Sequence, residues 1–433
     1  MVSLSFFLVA MGILVVLMLG GMWIAFAIGI GGVLSLYPFI KESTAFIFGA
    51  MSWENGTDMT LAALPLFIFM GEIISGSGMV ERLYRGASKA ITGVPGGLVQ
   101  TNIFACTIFA ACSGSSIASA ATMSRVAYPE QVLRRGYNSR IVLGSLTGGG
   151  TLGILIPPSI FFIIYCSLAE QSVAEVYLAG VLPGLILSLM FMGYVAIRSF
   201  IQPKMFPKEL EASNWRTRLS GIKLIWPFLL LITAIMGSLY GGIATPTEAA
   251  AVGAAVSVLI AVFWRLFTWK GLITSGLNTV KTNCMIFFIL INAKVVAVAL
   301  GYYGLPAAMQ DFAQSFKEPV ILLILISVVY IILGTIFEDF SLILLMLPFV
   351  IPLIRGSEYN MVWFGVYMVI MLQAGLLSPP VGVVLFVVQG ITGAHFKEVV
   401  WGSIPFAMLM ILLAAIIVVE PKIVLWLPGY MGY

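Results

Sequence analysis

The sequence predicts an all-α polytopic membrane protein made of two inverted-topology repeats, each with a re-entrant helical hairpin and a broken transmembrane helix. Three observations predict it. Of 433 residues, 61% are hydrophobic and 9% charged, with a mean hydropathy of +1.08, whereas a soluble domain is about a quarter charged. Apolar runs of about 20 residues recur, each long enough to cross a hydrocarbon core of roughly 30 Å, and no short alternating segments suggest a β-barrel. Landmarks also repeat at a nearly constant shift: Pro157 of ILIPPSI returns as Pro379 of LLSPPVG and Gly180 of GVLPG as Gly402 of GSIPF, each 222 residues on. Gly21 answers to Gly241, and the polar break SGSS at Ser113 answers to GTIFED at Gly334.

The elements follow in order. The run from Leu4 to about Leu19 lacks a basic n-region and a small-residue cleavage site, so it reads as a retained helix rather than a signal peptide. Spans are expected near 4–20, 22–40, 61–78, 141–168 and 176–199, then near 224–240, 244–264, 282–301, 362–390 and 401–420. The first repeat thus covers 1–199, with a re-entrant hairpin at about 97–127 and a broken helix at 141–168. The second covers 224–433, with a hairpin at about 319–354 and a broken helix at 362–390. Between them, 200–223 is basic apart from Glu209 and Glu211 and carries Trp215, which suits an amphipathic arm on the cytoplasmic interface.

Orientation comes from Lys and Arg, which concentrate in cytoplasmic loops. The stretch 105–121 lies between Arg82, Arg85 and Lys89 on one side and Arg125, Arg134, Arg135 and Arg140 on the other. Both its ends are therefore cytoplasmic, and it enters and leaves by the same face. Its counterpart near Gly334 is flanked by Asp311, Lys317, Glu318, Arg355 and Glu358, with no basic excess, and enters from outside. Both termini then lie outside.

Composition excludes several chemistries. The basic residues are spread over loops, giving a net charge of +4, which suits an anionic membrane face and not nucleic acid. Cys106, Cys112, Cys166 and Cys284 sit in apolar segments without CxxC spacing and read as small buried hydrophobes. His395, the one histidine, lies in a polar loop, so hydrolytic triads and histidine metal sites lack material. An intramembrane enzyme using Glu338 and Asp339 as acid and base has no accompanying nucleophile.

Irregular backbone at membrane depth survives only where protein buries it or it lines a site. Each half has two such places: the tips at 113–119 and 334–341, and the breaks at 148–159 and 373–382. Discontinuous helices at matching positions of inverted repeats point to a secondary transporter's binding site. Ser113, Ser115, Ser116 and Thr151, with carbonyls of 148–153, supply neutral oxygens that suit Na⁺; Thr335, Ser341 and Ser378, with carbonyls near Gly334 and Gly375, supply an equivalent set. Glu72, Glu248, Lys294, Glu338 and Asp339 are the ionisable residues within spans, costly there and functional by default. Glu72 and Lys294, 222 apart, are expected to pair; Glu248 is expected to cap or orient the helix after Thr245. Glu338 and Asp339, at a hairpin tip, are expected to meet Na⁺ or substrate.

The segments LPLFIFMGEII (64–74), FAACSGSSIASAA (109–121), GGTLGILIPPSI (149–160), ATPTEAAAVGA (244–254) and GLLSPPVG (375–382) run in order along nearly the whole chain. In these the sequence resembles the large membrane (M) subunit of tripartite ATP-independent periplasmic (TRAP) transporters. The resemblance implies an elevator-type, Na⁺-coupled importer of the bacterial inner membrane, taking organic acids of the sialic acid or C4-dicarboxylate type. It also implies a small four-helix membrane subunit (Q) and a periplasmic substrate-binding protein (P). Two or more Na⁺ ions would bind around Ser113, Gly114, Ser115 and Ser116 with Gly150 and Thr151, and around Gly334 and Thr335 with Gly375 and Ser378. Substrate would meet Ser116, Ser119, Ser159, Glu338 and Asp339. The family's single acid four residues after the tip glycine maps onto Glu338, and Asp339 doubles it. The alternative is a stand-alone Na⁺/anion symporter of related fold.

Overall fold

The computed structural model describes residues 4–40, 43–207 and 214–431, and every regular element among them is a helix. The first half runs α1 (Leu4–Leu19), α2 (Ile24–Ile40), α3 (Thr44–Thr57), α4 (Ala63–Gly76), α5 (Met79–Ala90), α6 (Leu98–Ser113), α7 (Ser116–Tyr128), α8 (Ser139–Thr151), α9 (Ile160–Ala169) and α10 (Val173–Ile201). The second runs α11 (Trp215–Tyr240), α12 (Pro246–Phe263), α13 (Trp269–Tyr302), α14 (Leu305–Gln314), α15 (Pro319–Gly334), α16 (Asp339–Arg355), α17 (Met361–Leu376), α18 (Val383–Thr392), α19 (Phe396–Val419) and α20 (Lys422–Tyr430).

Length and hydropathy divide the helices into two kinds. Five of them, α10, α11, α12, α13 and α19, are long and apolar enough to cross a membrane alone. Shorter apolar helices occupy the regions where hairpins and broken spans were expected, among them α6, α9, α15, α17 and α18. A polytopic membrane protein follows directly. The order hairpin, broken helix, long helix occurs twice: α6 to α10, and α15 to α19.

Local chemistry explains where the helices stop. Gly114 ends α6 in the left-handed conformation that favours glycine, at φ +60°. Ser115 then caps α7 by accepting the Ala118 amide at 3.3 Å, which satisfies one of the first-turn donors a helix leaves open. After α8 the chain makes a 3₁₀ turn, Leu152–Ile154, and runs without helix until Ile160; after α17 it is irregular until Val383. Thr245 and Glu248 form a reciprocal capping box at the start of α12, with Thr245 N donating to Glu248 Oε2 at 2.8 Å. This is the capping expected of Glu248.

Four expectations change. The glycine triplet does not interrupt its helix: α8 continues through Gly148, Gly149 and Gly150, and the break follows Thr151. The three glycines serve close packing. A Cβ on Gly148 would lie 2.6 Å from Phe406, on Gly149 3.1 Å from Cys106, and on Gly150 2.6 Å from Ala120, so α8 touches α19, α6 and α7 at once. Residues 215–223, expected in a separate arm, are the opening turns of α11, capped by Asn214; residues 208–213 of that arm, including Glu209 and Glu211, lie outside the described residues. An unexpected helix, α3, precedes α4; with 14 residues it is too short to span and left no apolar run to read. Cys106, Cys112 and Cys166 are buried as expected, whereas Cys284 is exposed.

Candidate functional site

Both hairpin tips meet the breaks of their own halves at backbone distance. A Cβ on Gly153 would lie 2.7 Å from the Ser115 carbonyl, and one on Gly334 2.8 Å from Gly375 Cα. Thr335 O accepts the Gly382 amide at 2.8 Å, tying the second tip to the end of the second break. Each meeting point therefore places the carbonyl ends of two helices, α6 and α8 or α15 and α17, near the amide ends of two more. Helix C-termini carry partial negative charge and N-termini partial positive charge, so both signs of charge can be met there without a formal ion.

The two tips are also joined to each other. Ser116, at the start of α7, donates its hydroxyl to Asp339 Oδ2, and Phe161 stacks on Phe340 with ring centroids 4.6 Å apart. Asp339 is fully buried, and its Oδ1 accepts the Phe340 amide at 3.2 Å. Glu338 is half-buried and caps α16: its Oε1 accepts Ser341 N at 3.1 Å and Ser341 Oγ at 2.7 Å. Adjacent carboxylates thus have different roles, one a link between halves and one a helix cap.

A cavity of about 260 Å³ opens beside the tips. Ser113, Ser115 and Glu338 line it from the hairpins, Ile160 from the first turn of α9, and Glu72 and Thr282 from α4 and α13. Of the five residues expected to meet substrate, Glu338 lines this cavity; Ser116, Ser119, Ser159 and Asp339 are fully buried outside its lining. Ser119 bonds Ser113 Oγ at 2.6 Å, and Ser159 donates back to Ile154 O at 2.7 Å, closing the irregular turn it ends.

The residues expected to hold cations fall in two groups. Ser113, Gly114 and Ser115 form the first tip, with Gly150 and Thr151 at the end of α8; Thr151 donates its hydroxyl to Gly148 O at 2.7 Å. Gly334, Thr335, Gly375 and Ser378 form the second group, and Ser378 donates to Ala374 O at 2.7 Å. Hydroxyl and carbonyl oxygens dominate both. These are hard, neutral oxygen donors, the type that alkali and alkaline-earth cations take and that soft transition metals do not favour.

The expected ion pair of Glu72 with Lys294 does not form. Glu72 accepts Asn278 Nδ2 at 3.0 Å and lines the cavity, while Lys294 pairs with Glu54 of α3 at 2.9 Å. Equal displacement along the chain relates positions within two halves, and it does not bring them into contact. Sequence reasoning also missed Asn278 and Thr282, which lie in the polar first half of α13. The expected span began at 282, which left Asn278 outside it and Thr282 at its edge among other polar residues, so neither stood out as a polar side chain inside a span.

The family model for the DctM component of tripartite ATP-independent periplasmic transporters matches residues 11–423. The C4-dicarboxylate TRAP transporter large permease protein of Pseudomonas aeruginosa is 33% identical over 412 residues, covering 94% of this chain and 94% of that protein. The sialic acid TRAP transporter large permease protein of Vibrio cholerae is 29% identical over 403 residues, covering 92% and 93%. The 2,3-diketo-L-gulonate TRAP transporter large permease protein of Escherichia coli is 29% identical over 381 residues, covering 87% and 88%. Among solved structures, the Alcanivorax borkumensis YdaH transporter superposes with a TM-score of 0.65 over 91% of this chain and 90% of its own, at 12% identity, a likeness of fold.

Proposed function

This chain belongs to the DctM-component family of TRAP transporters, whose large membrane subunit it is, and from that premise we propose that it imports an organic acid across the bacterial inner membrane by Na⁺ symport. It works with a small membrane subunit and a periplasmic binding protein that delivers the substrate. The observation that carries this reading is the cavity where both hairpin tips and the start of α9 face α4 and α13. Two inverted repeats place their tips there from opposite membrane faces, and the unit holding them slides against α4 and α13 in an elevator motion.

The chemistry assigns roles to the chain's own groups. Na⁺, as co-substrate, is held by hydroxyls and helix-end carbonyls at 113–115 with Gly150 and Thr151, and at Gly334 and Thr335 with Gly375 and Ser378. The substrate carboxylate is drawn to the amide ends of α7 and α9, where helix N-termini favour anions. Ser113 and Ser115 offer it hydroxyls. Glu338 faces the substrate and accepts its hydroxyl or amide donors, while Asp339 acts on it through Ser116. The printed substrates of the relatives, C4-dicarboxylate, sialic acid and 2,3-diketo-L-gulonate, are all organic acids, which supports the class.

Uptake by proteoliposomes containing the permease and both partner proteins tests the proposal. An inward Na⁺ gradient is expected to drive accumulation of the acid, and collapse of the gradient to abolish it. Equal uptake without Na⁺ overturns the symport reading, and full uptake by the permease alone overturns the three-component one.

A further inference from the structure

Away from the cavity, the N-terminal ends of α8 and α19 and the C-terminal end of α10 line a second, half-open pocket of about 560 Å³, within the ~300–1,000 Å³ range of small-ligand sites. It shares no lining residue with the substrate cavity. We propose that it binds the headgroup of a membrane phospholipid of the ethanolamine type, with the phosphate on Arg140 and Arg198 and the ammonium on Glu398.

The charged walls carry the argument. Arg140 and Arg198 both line the pocket. Arg198 Nε is buried with no hydrogen-bond partner, and among the described residues no carboxylate pairs with either guanidinium. Two like charges therefore share one half-open pocket, Arg140 exposed at its mouth and Arg198 half-buried with Nε cut off from any acceptor. A phosphate supplies acceptor oxygens in the geometry a guanidinium fork matches. Arg140 also sits in the first turn of α8, where the helix end adds partial positive charge. A second wall, from α19, is anionic: Glu398 lines the pocket, and its Oε2 accepts the Ser139 hydroxyl at 2.8 Å. A bare phosphate would be repelled by that carboxylate, whereas a headgroup ending in an ammonium satisfies both walls.

The surroundings favour a lipid as the source over a free anion. Trp401 forms part of the rim, and indole rings settle at the membrane–water interface. Trp401, Met408 and Leu412 lie on one face of α19 at a spacing of seven and four residues, and are 56%, 58% and 50% exposed. They form an apolar track leading from the pocket along the helix, as an acyl chain attached to the bound headgroup requires. The pocket lies on the face where the α6–α7 hairpin opens, since Pro129–Arg134 runs directly from α7 toward Asn138; in the proposed orientation that face is cytoplasmic.

Native mass spectrometry of the full-length permease, incubated with equimolar phosphatidylethanolamine and phosphatidylcholine, tests this. The wild type is expected to retain the ethanolamine lipid in preference, because methylation leaves choline no N–H to donate to Glu398. R140Q/R198Q is expected to retain either lipid about tenfold less, and E398Q to retain the two equally. Thermal stability of lipid-depleted wild type and R140Q/R198Q, measured side by side, separates lost binding from misfolding: equal melting temperatures with unequal lipid retention support the site. Equal retention of phosphatidylethanolamine by wild type and R140Q/R198Q overturns the proposal. So does saturation of the pocket by inorganic phosphate with no lipid retained, which makes the ligand a free anion.

Discussion

The two hairpin tips end their helices at corresponding places in the chain, yet one is neutral and the other acidic. In the first, Ser115 caps α7 with a hydroxyl; in the second, Glu338 caps α16 with a carboxylate, and Asp339 beside it reaches the other half through Ser116. A helix start needs only an oxygen acceptor for its first-turn amides, and both residues meet that need. The charge is therefore surplus to local folding and available for function. A second contrast concerns α4 and α13, which line the cavity from outside the tips: α4 is separated from α3 by a turn capped by Asp58, whose Oδ1 accepts Thr60 N at 2.8 Å, while the corresponding stretch of the second half is the single 34-residue α13. The same plan tolerates a broken or an unbroken wall, provided that its polar groups still reach the cavity.

The sharpest way to break the comparison of tips is the Ser116–Asp339 link. Asp339→Ala is expected to lower Na⁺-driven uptake about a hundredfold, corresponding to about 3 kcal/mol, the upper end of the cost of leaving a buried hydrogen-bonding group without its partner. Ser116→Ala in the same assay is expected to be non-additive with it, as contacting residues are; fully additive losses would show that the link between halves carries nothing.

Next in size are the paired glycines Gly180 and Gly402. Gly402 packs against the other half, where a Cβ would lie 2.2 Å from Arg140 O; Gly180 packs within its own half, where a Cβ would lie 2.6 Å from the Phe162 ring and only then 3.0 Å from backbone, at Leu155 O. Gly402→Ala is expected to cost about 3 kcal/mol or more in thermal unfolding and Gly180→Ala about 1–2, since a side-chain ring yields more readily than backbone. Gly237→Ala, with nothing within 4 Å, is expected to stabilise by about 0.5–1 kcal/mol. Equal melting temperatures for all three would remove the packing account.

Smaller again is the difference between the caps themselves. Glu338→Gln keeps an acceptor for Ser341 but removes the charge, and is expected to raise the apparent KM for substrate about tenfold, or 1.4 kcal/mol. Ser115→Ala loses a cap worth about 1 kcal/mol, and its cost should appear first in unfolding. The smallest expected effect belongs to Lys294→Met. The Lys294–Glu54 pair has side chains 14% and 58% exposed, so water screens it and about 1 kcal/mol or less should be lost. A loss of uptake comparable to that of Asp339→Ala would return Lys294 to the functional set.

What was legible in the sequence is what depends on near neighbours. Hydropathy over a window marked the spans, Pro-Pro pairs and clustered small polar residues marked the breaks and tips, and ThrProThrGlu marked the cap of α12, because each is decided within one or two turns of backbone. The family was legible for the same reason, in five short motifs kept in order. Tertiary structure alone decided the rest: that Glu72 meets Asn278 and the cavity while Lys294 meets Glu54, that Asp339 is sealed against Ser116 while Glu338 stays at the cavity, and that three glycines serve packing within an intact helix. Those outcomes depend on how each helix is rotated about its axis and which neighbour it meets. Contacts between residues from about 30 to more than 200 positions apart set both, and no local pattern encodes them.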